Sequence, residues 1–189
     1  RDSSTSRGLG DVYKRQLQRL RDVSIQIPFS DIPFSPYKLG ISMFLAELLS
    51  YATRHEQANG ALYLFIQDSI EWLDHAKGAI ANFHIVFMIQ LSFHLGFMPN
   101  IESGMSGDYF DLVDGCFAAH VPSHVHYLNK EDSMRLVSLF RLDYKTMHLY
   151  TMSRMERNRC VEVILEYYKL HLPGFPEMKS FAVLQELFA

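Results

Sequence analysis

The segment 83–95 is the feature that most constrains the fold, because its apolar residues fall on every side of a helix rather than along one stripe. Such a helix must be surrounded by other parts of the chain to remove its side chains from water. A membrane span needs about 18 consecutive apolar residues. This run is interrupted by polar residues, namely His84, Gln90, Ser92 and His94. The sequence therefore predicts a buried helix at the centre of a soluble protein.

Small polar residues that precede apolar runs mark the starts of further helices. The expected caps are Ser35, Asn59, Asn129, Ser153 and Ser180, with Ser153 and Glu156 forming a capping box. The expected helices cover residues 36–54, 59–78, 79–95, 129–140, 144–150, 153–171 and 181–188.

Residues 98–128 are rich in Gly, Ser, Asp and Pro and lack helical periodicity. Within them, 109–113 and 116–118 flank an Asp114-Gly115 turn, which is typical of a hairpin. We therefore expect a mainly α fold, an orthogonal helical bundle with a small irregular β-hairpin and loop insertion.

Residues 1–16 are expected not to belong to the natural protein. Read back through the genetic code, 6–16 can be written as a transposase-type sequencing adapter, and such a segment is excluded from fold reasoning. Without residues 1–16, 14 basic and 19 acidic side chains remain, a net charge of −5.

Residues 17–34 contain Pro28 and Pro33, which indicate an extended connector from a preceding domain. Residues 35–189 then form the helical domain.

The charged and sulfur-containing residues limit the function classes. An acidic chain is a poor nonspecific binder of polyanions. Two cysteines, Cys116 and Cys160, cannot form a disulfide framework, so a reducing cytoplasm is expected. Glycine-rich phosphate loops, nucleophile elbows and Ser-His-Asp arrangements are absent from the sequence. The sequence therefore predicts a protein that is not an enzyme.

Two groups of residues suggest metal binding, and both have a simpler interpretation. Four residues within eleven positions carry ligands that zinc prefers: Cys116, His120, His124 and His126. Their spacing matches no paired-ligand pattern, so no metal site is predicted and these four remain the alternative. Glu71, Asp74 and His75 lie on one predicted helix, but a metal helix bundle needs Glu-x-x-His pairs on two helices, and the sequence contains none. They are predicted to form a solvated helix face.

The basic residues are concentrated in one stretch, in which six cations accompany two acids, Asp143 and Glu156. The cations are Arg135, Arg141, Lys145, Arg154, Arg157 and Arg159. Arg154 and Arg157 fall in the first turns of a predicted helix, where the macrodipole opposes a cation by about 0.3 to 1 kcal/mol. This placement favours a site for an anionic partner, with apolar contacts from Tyr144, Met147, Tyr150 and Met152. The alternative is a solvated basic surface, or arginines paired with carboxylates such as Glu162.

Several segments, in this order and spacing, resemble the C-terminal helical domain of the RecO family of DNA repair proteins. They are FLAE at 44–47, FHLGFMP at 93–99, YYKLHL at 167–172, Lys179-Ser180 and Val183-Leu184. The resemblance implies a non-enzymatic recombination mediator that works with RecR. It also implies binding to the acidic tail of single-strand DNA-binding protein, strand annealing and loading of the RecA recombinase.

The resemblance also implies an N-terminal OB-fold before the helical domain, which we expect to be missing from this sequence. Single-stranded DNA is then bound mainly through that missing domain, and this chain is expected to dock partners in a cytoplasmic, nucleoid-associated protein. Many family members hold zinc with four cysteines in the loop that corresponds to 98–126. Only Cys116 is present here, so no cofactor is expected. The alternative function is an autonomous helical metal-binding protein or hydrolase organised around the histidine-rich loop.

Overall fold

The structure is a computed structural model that describes residues 28–101 and 109–187. The adapter-like segment 1–16 and the first part of the predicted connector lie outside the described residues. Within the described ranges, no helix is long and apolar enough to cross a membrane.

Helices form most of the described chain. They are α1 (Pro36–Ala52), α2 (Gly60–His75), α3 (Phe83–His94), α4 (Lys130–Phe140), α5 (Arg154–His171) and α6 (Ser180–Leu187). Two 3-10 turns, Ile32–Phe34 and Met147–Leu149, precede α1 and α5. Strands β1 (Tyr109–Asp111), β2 (Cys116–Ala118) and β3 (Tyr127–Leu128) form an antiparallel sheet in the order β2-β1-β3. The predicted mainly α fold with a small β insertion is confirmed.

The predicted helix starts are mostly confirmed, but the end of α2 and the start of α3 differ. The helix expected over 144–150 is only the 3-10 turn Met147–Leu149. The side chains of Ser35, Asn59 and Asn129 and the Ser153/Glu156 capping box cap α1, α2, α4 and α5. Helix α2 ends at His75 because Ala76 is extended (φ −60°, ψ 132°). Helix α3 begins only at Phe83, since Ala79 adopts the left-handed conformation (φ 57°), which cannot continue a right-handed helix.

The central helix α3 is buried as predicted. Phe83, Phe87 and Leu91 are fully buried. Helix α5 packs against α3, and the Tyr168 hydroxyl donates a 2.7 Å hydrogen bond to the backbone carbonyl of Met88. Burial raises the pKa of Tyr168 well above its ordinary value, so the hydroxyl retains the proton that it donates. The expected contact between these two apolar helices is confirmed.

Helix α6 packs against α1 and begins differently from the prediction. Ser180 is the first residue of this helix rather than its cap. The carboxylate of Glu47 in α1 accepts hydrogen bonds from the backbone N–H groups of Lys179 (3.0 Å) and Ser180 (2.7 Å), and from the Ser180 hydroxyl. Burial acts to raise the pKa of Glu47, but these hydrogen bonds lower it overall. A carboxylate from another helix therefore accepts the hydrogen bonds of the backbone N–H groups at the start of α6.

The small sheet packs on α4 and α5 through a second cluster of buried apolar residues. The cluster consists of Phe110, Leu112, Leu128, Leu136, Val163 and Tyr167. The hairpin turn contains Gly115 (φ 64°), and a Cβ atom there would lie 2.7 Å from the Tyr167 hydroxyl. Strand β3 was not predicted, because two residues are too few for an alternating pattern to be recognised.

The prediction of a solvated helix face is wrong for Asp74. Glu71 is half-buried and His75 is exposed, but Asp74 is buried. One Asp74 oxygen accepts hydrogen bonds from the N–H groups of Asp31 (2.9 Å) and Ile32 (2.8 Å). The segment before α1 is therefore fastened to the end of α2, and its last residues form a 3-10 turn instead of an extended chain.

Ser30 and Lys38 complete this attachment. The N–H and hydroxyl groups of Ser30 each donate a 2.7 Å hydrogen bond to the second oxygen of Asp74. The Lys38 ammonium donates to the carboxylate of Asp31 (2.6 Å) and to the backbone carbonyls of Asp74 (2.8 Å) and Ala76 (2.7 Å). Burial alone would raise the pKa of Asp74, but its hydrogen bonds outweigh burial and hold the pKa well below the ordinary 3.8.

We expect Phe87→Ala to lower the free energy of unfolding by about 3 to 5 kcal/mol, because the ring is fully buried and stacks on Phe65 of α2. Phe93→Ala on the same helix is the matched control. The Phe93 ring is 64% exposed, so the loss should be below about 0.5 kcal/mol. Urea unfolding measures both values, and similar losses in the two variants would contradict the central position of α3.

We expect Asp74→Asn to lower the free energy of unfolding at pH 7 by about 1.5 to 3 kcal/mol, because an amide replaces one acceptor oxygen by a donor. A carboxyl whose folded pKa is lowered stabilises the fold above its unfolded pKa and progressively less below it. The difference between wild type and variant should therefore narrow as the pH falls from about 5 toward 2. Asp68→Asn, on the exposed face of α2, is the control. A difference that stays constant with pH would disprove the assignment.

Candidate partner-docking surface

The six predicted cations lie on α4, on α5 and on the segment 141–153 between these helices, which we call the linker. Arg135 belongs to α4, Arg141 and Lys145 to the linker, and Arg154, Arg157 and Arg159 to α5. The structure separates them into three groups by what each charged group contacts.

Arg135 and Arg159 face carboxylates. The pairs are Arg135 with Glu131 and Glu156 (3.3 Å each), and Arg159 with Asp132 (3.4 Å) and Glu162 (4.0 Å). Exposed pairs of this kind usually contribute less than about 1 kcal/mol to stability. These carboxylates nevertheless balance both guanidinium charges locally. For Arg135 and Arg159 the structure therefore matches the alternative interpretation, in which the arginines pair with carboxylates of the same chain.

Arg157 is half-buried and turns toward the protein's own backbone. Its Nε donates a 3.1 Å hydrogen bond to Oδ1 of Asn82, and a terminal nitrogen donates a 3.2 Å bond to the carbonyl of Met152. Burial lowers the pKa of the guanidinium, but arginine still carries its charge at neutral pH. The hydrogen bonds of this cation hold the linker.

Arg141, Lys145 and Arg154 are exposed, and none of them makes an ion pair within the described residues. The Nε of Arg154 donates a 2.8 Å hydrogen bond to the Gln185 carbonyl of α6. Asp143, the acidic residue of the linker, accepts hydrogen bonds from the Thr146 hydroxyl (2.7 Å) and from the N–H groups of Thr146 (2.7 Å) and Lys145 (2.9 Å), and these lower its pKa. The three exposed cations therefore keep a local positive charge toward solvent.

The apolar residues expected beside these charges belong mostly to the core. Met147 and Met152 are buried. The Tyr144 ring stacks on Trp72 (5.2 Å between centroids) and Phe83 (4.8 Å), and burial raises the pKa of its hydroxyl. These side chains attach the linker to the core and do not face a partner.

Two apolar residues that sequence reasoning missed are exposed instead. Leu149 is 71% exposed and Met155 is 80% exposed, while Tyr150 is half-buried. A helical wheel could have identified Met155, because it lies four and seven residues before the polar Arg159 and Glu162. Leu149 has no such signal, since a single 3-10 turn has no periodicity to analyse.

We define the docking surface as the exposed cations Arg141, Lys145 and Arg154 together with the exposed apolar residues Leu149 and Met155. All five fall within fifteen positions of the chain. Cationic donors form strong hydrogen bonds with carboxylates, and exposed apolar side chains gain free energy when a ligand covers them. The surface is therefore chemically suited to an acidic ligand that also carries an apolar group.

Comparison with known proteins identifies the family. The family model described as Recombination protein O C terminal matches residues 33–180. The chain belongs to the RecO family. DNA repair protein RecO of Phocaeicola vulgatus is 45% identical over 173 residues, which cover 92% of this chain and 72% of that protein. The RecO proteins of Bacteroides fragilis and Porphyromonas gingivalis are 46% and 32% identical, covering 91% and 92% of this chain and 72% of each relative.

RecO membership gives this chain a function in DNA repair and recombination. No solved structure matches the chain significantly. The alternative of an autonomous metal-binding protein or hydrolase gains no support from these RecO relatives or from the described residues.

The four candidate zinc ligands of the insertion differ in their surroundings. Cys116 is half-buried, His120 is exposed, Nε2 of His124 lies 3.1 Å from Asp111, and Nδ1 of His126 lies 2.7 Å from Glu166. In residues 28–101 and 109–187, no group of three or more His, Cys, Asp or Glu side chains is placed to hold a metal ion. The insertion is instead held by its apolar cluster and by hydrogen bonds such as Tyr167 to the Phe97 carbonyl (2.9 Å).

We therefore expect dialysis against a chelator to leave the melting temperature unchanged, because apolar contacts and hydrogen bonds attach the insertion to α4 and α5. Metal analysis and thermal unfolding before and after dialysis measure this. Cys116→Ser is the matched variant, and its metal content should equal that of the wild type. One equivalent of zinc that survives dialysis and is lost in Cys116→Ser would contradict the prediction.

Proposed function

We propose that this domain is the partner-docking half of a non-enzymatic recombination mediator that works with RecR. Its docking surface binds the acidic C-terminal tail of single-strand DNA-binding protein. Family membership supports the class of function. The observation that carries the tail assignment is the combination of exposed cations without ion pairs in the described residues and two exposed apolar side chains.

The tail assignment follows from chemical complementarity. A peptide rich in carboxylates that ends in phenylalanine needs cationic donors beside an apolar contact. Arg141 and Lys145 offer the charge, and Leu149 offers the apolar contact a few residues further along the linker. Arg135 and Arg159 contribute less, because carboxylates of this chain already lie beside them.

Single-stranded DNA is a weaker candidate for this surface. The chain has a formal net charge of −3, and a polyanion gains most from many unpaired cations. Strand binding also uses aromatic platforms in a basic groove, which an OB-fold supplies. We therefore assign DNA contact mainly to an OB-fold that precedes the helical domain in the family, within a cytoplasmic, nucleoid-associated protein.

We expect the double variant Arg141→Glu/Lys145→Glu to weaken tail binding by at least about tenfold, because charge-assisted hydrogen bonds are replaced by repulsion. Neither side chain makes an ion pair within the described residues, so the fold should be retained. Fluorescence anisotropy with a labelled peptide of aspartates ending in phenylalanine measures the affinity. Wild-type affinity should fall as salt is raised, since the Debye length is only about 8 Å at physiological ionic strength.

Arg54→Glu is the matched control. Arg54 is exposed just beyond α1, at the end where Glu47 meets Ser180, whereas Arg154 contacts Gln185 toward the other end of α6. This charge reversal should leave the tail affinity unchanged. Equal affinities of the wild type and the folded double variant would place the tail elsewhere on the domain.

A further inference from the structure

We infer that Asn82 and Arg157 act together as a brace that positions the linker for its partner, and that Arg157 itself does not contact the partner. The inference rests on the proposed function of the docking surface. It changes the expected role of Arg157, which the basic stretch in the sequence places among the anion-binding residues.

Asn82 is the first half of the brace. It is buried and occupies the N-cap position of α3, where an asparagine side chain usually accepts a hydrogen bond from its own helix. No such bond forms here. Its Nδ2 instead donates to the carbonyls of Met147 (3.0 Å) and Tyr150 (2.7 Å). The amide therefore fixes both ends of the turn that carries Leu149.

Arg157 is the second half of the brace. Its Nε donates to Oδ1 of Asn82 at 3.1 Å, so that the amide oxygen is used as well as the amide nitrogen. A terminal nitrogen donates to the carbonyl of Met152 at 3.2 Å. The two side chains thus bind three linker carbonyls, which lie on both sides of Leu149. The rigid, planar fork of arginine makes such paired contacts, whereas lysine presents a single point charge.

The linker is held in place from the core side while Leu149 faces outward. Met147 and Met152 are buried, and the Tyr144 hydroxyl donates a 2.8 Å hydrogen bond to Ser69. A loop that is already ordered before binding loses less conformational entropy when the partner arrives. The brace therefore increases affinity through preorganisation rather than through contact.

Arg157→Lys tests the inference, because it keeps the charge and removes the fork. We expect faster hydrogen exchange at the Leu149 and Tyr150 amides, which donate to the carbonyls of Thr146 (2.9 Å) and Met147 (3.4 Å). Tail-peptide affinity should fall roughly tenfold, the equivalent of one charge-assisted hydrogen bond. The slope of affinity against salt should stay at the wild-type value, since no partner-facing charge is lost. Arg159→Lys, an exposed cation of the same helix, is the control and should change neither quantity.

Asn82→Asp is the second variant. It keeps an acceptor for Arg157 and removes both donors to the linker, so it should show the same faster exchange and weaker binding. Arg157→Gln completes the set and should bind the peptide as weakly as Arg157→Lys. Circular dichroism detects whether a variant folds. If the Arg157 variants do not fold, Asn82→Asp still tests the inference.

Three results would overturn the inference. Linker exchange that stays at the wild-type rate in the folded variants would show that no brace exists. Wild-type affinity in Arg157→Lys, with weak binding and a smaller salt slope in Arg157→Gln, would show that Arg157 contacts the partner. A lower melting temperature with unchanged peptide affinity would show a purely structural role. If the wild type itself binds no peptide, the proposed function fails, while faster linker exchange in the variants would still support the brace.

Discussion

The burial of residues 83–89 of α3 on every side is the constraint on which the rest of the structure depends. Because this part of the helix has no side that faces water, the other elements must surround it. Trp72 from α2 and Tyr144 from the linker stack on Phe83 at 5.5 and 4.8 Å, and Tyr168 from α5 hydrogen-bonds to the Met88 carbonyl. The linker is therefore part of the core. Only the linker residues that remain exposed after these contacts can bind a partner.

Carboxylates from distant parts of the chain satisfy backbone groups that local caps do not reach. Asp74 binds the N–H groups before α1, and Glu47 binds those at the start of α6. Asp111 instead acts locally, because it accepts hydrogen bonds from the N–H groups of Val113 (2.8 Å) and Asp114 (3.1 Å), two and three residues further along. A buried donor without a partner costs free energy, so these carboxylates stabilise the positions of the segments whose N–H groups they accept.

The same distinction explains which parts of the fold were predictable from the sequence. Asn59, Asn129 and Ser153 were recognised because each cap and its target N–H lie three residues apart. Glu47 and Ser180 are separated by 133 positions, so no local pattern connects them. The buried state of Asp74 was missed for the same reason, since its partners lie more than 40 residues away. The family was recognised because the order and spacing of several motifs is a property of the whole chain.

The basic stretch shows what charge patterning alone can and cannot indicate. Composition identifies the stretch of cations but does not indicate what each cation faces. Arg154 and Arg157 both lie against the dipole of α5, and each donates to a backbone carbonyl outside that helix, Gln185 for the first and Met152 for the second. A cation that opposes a helix dipole can therefore indicate a tertiary hydrogen bond, as it does here, as well as a ligand site. The charge directed most freely to solvent comes from the linker itself.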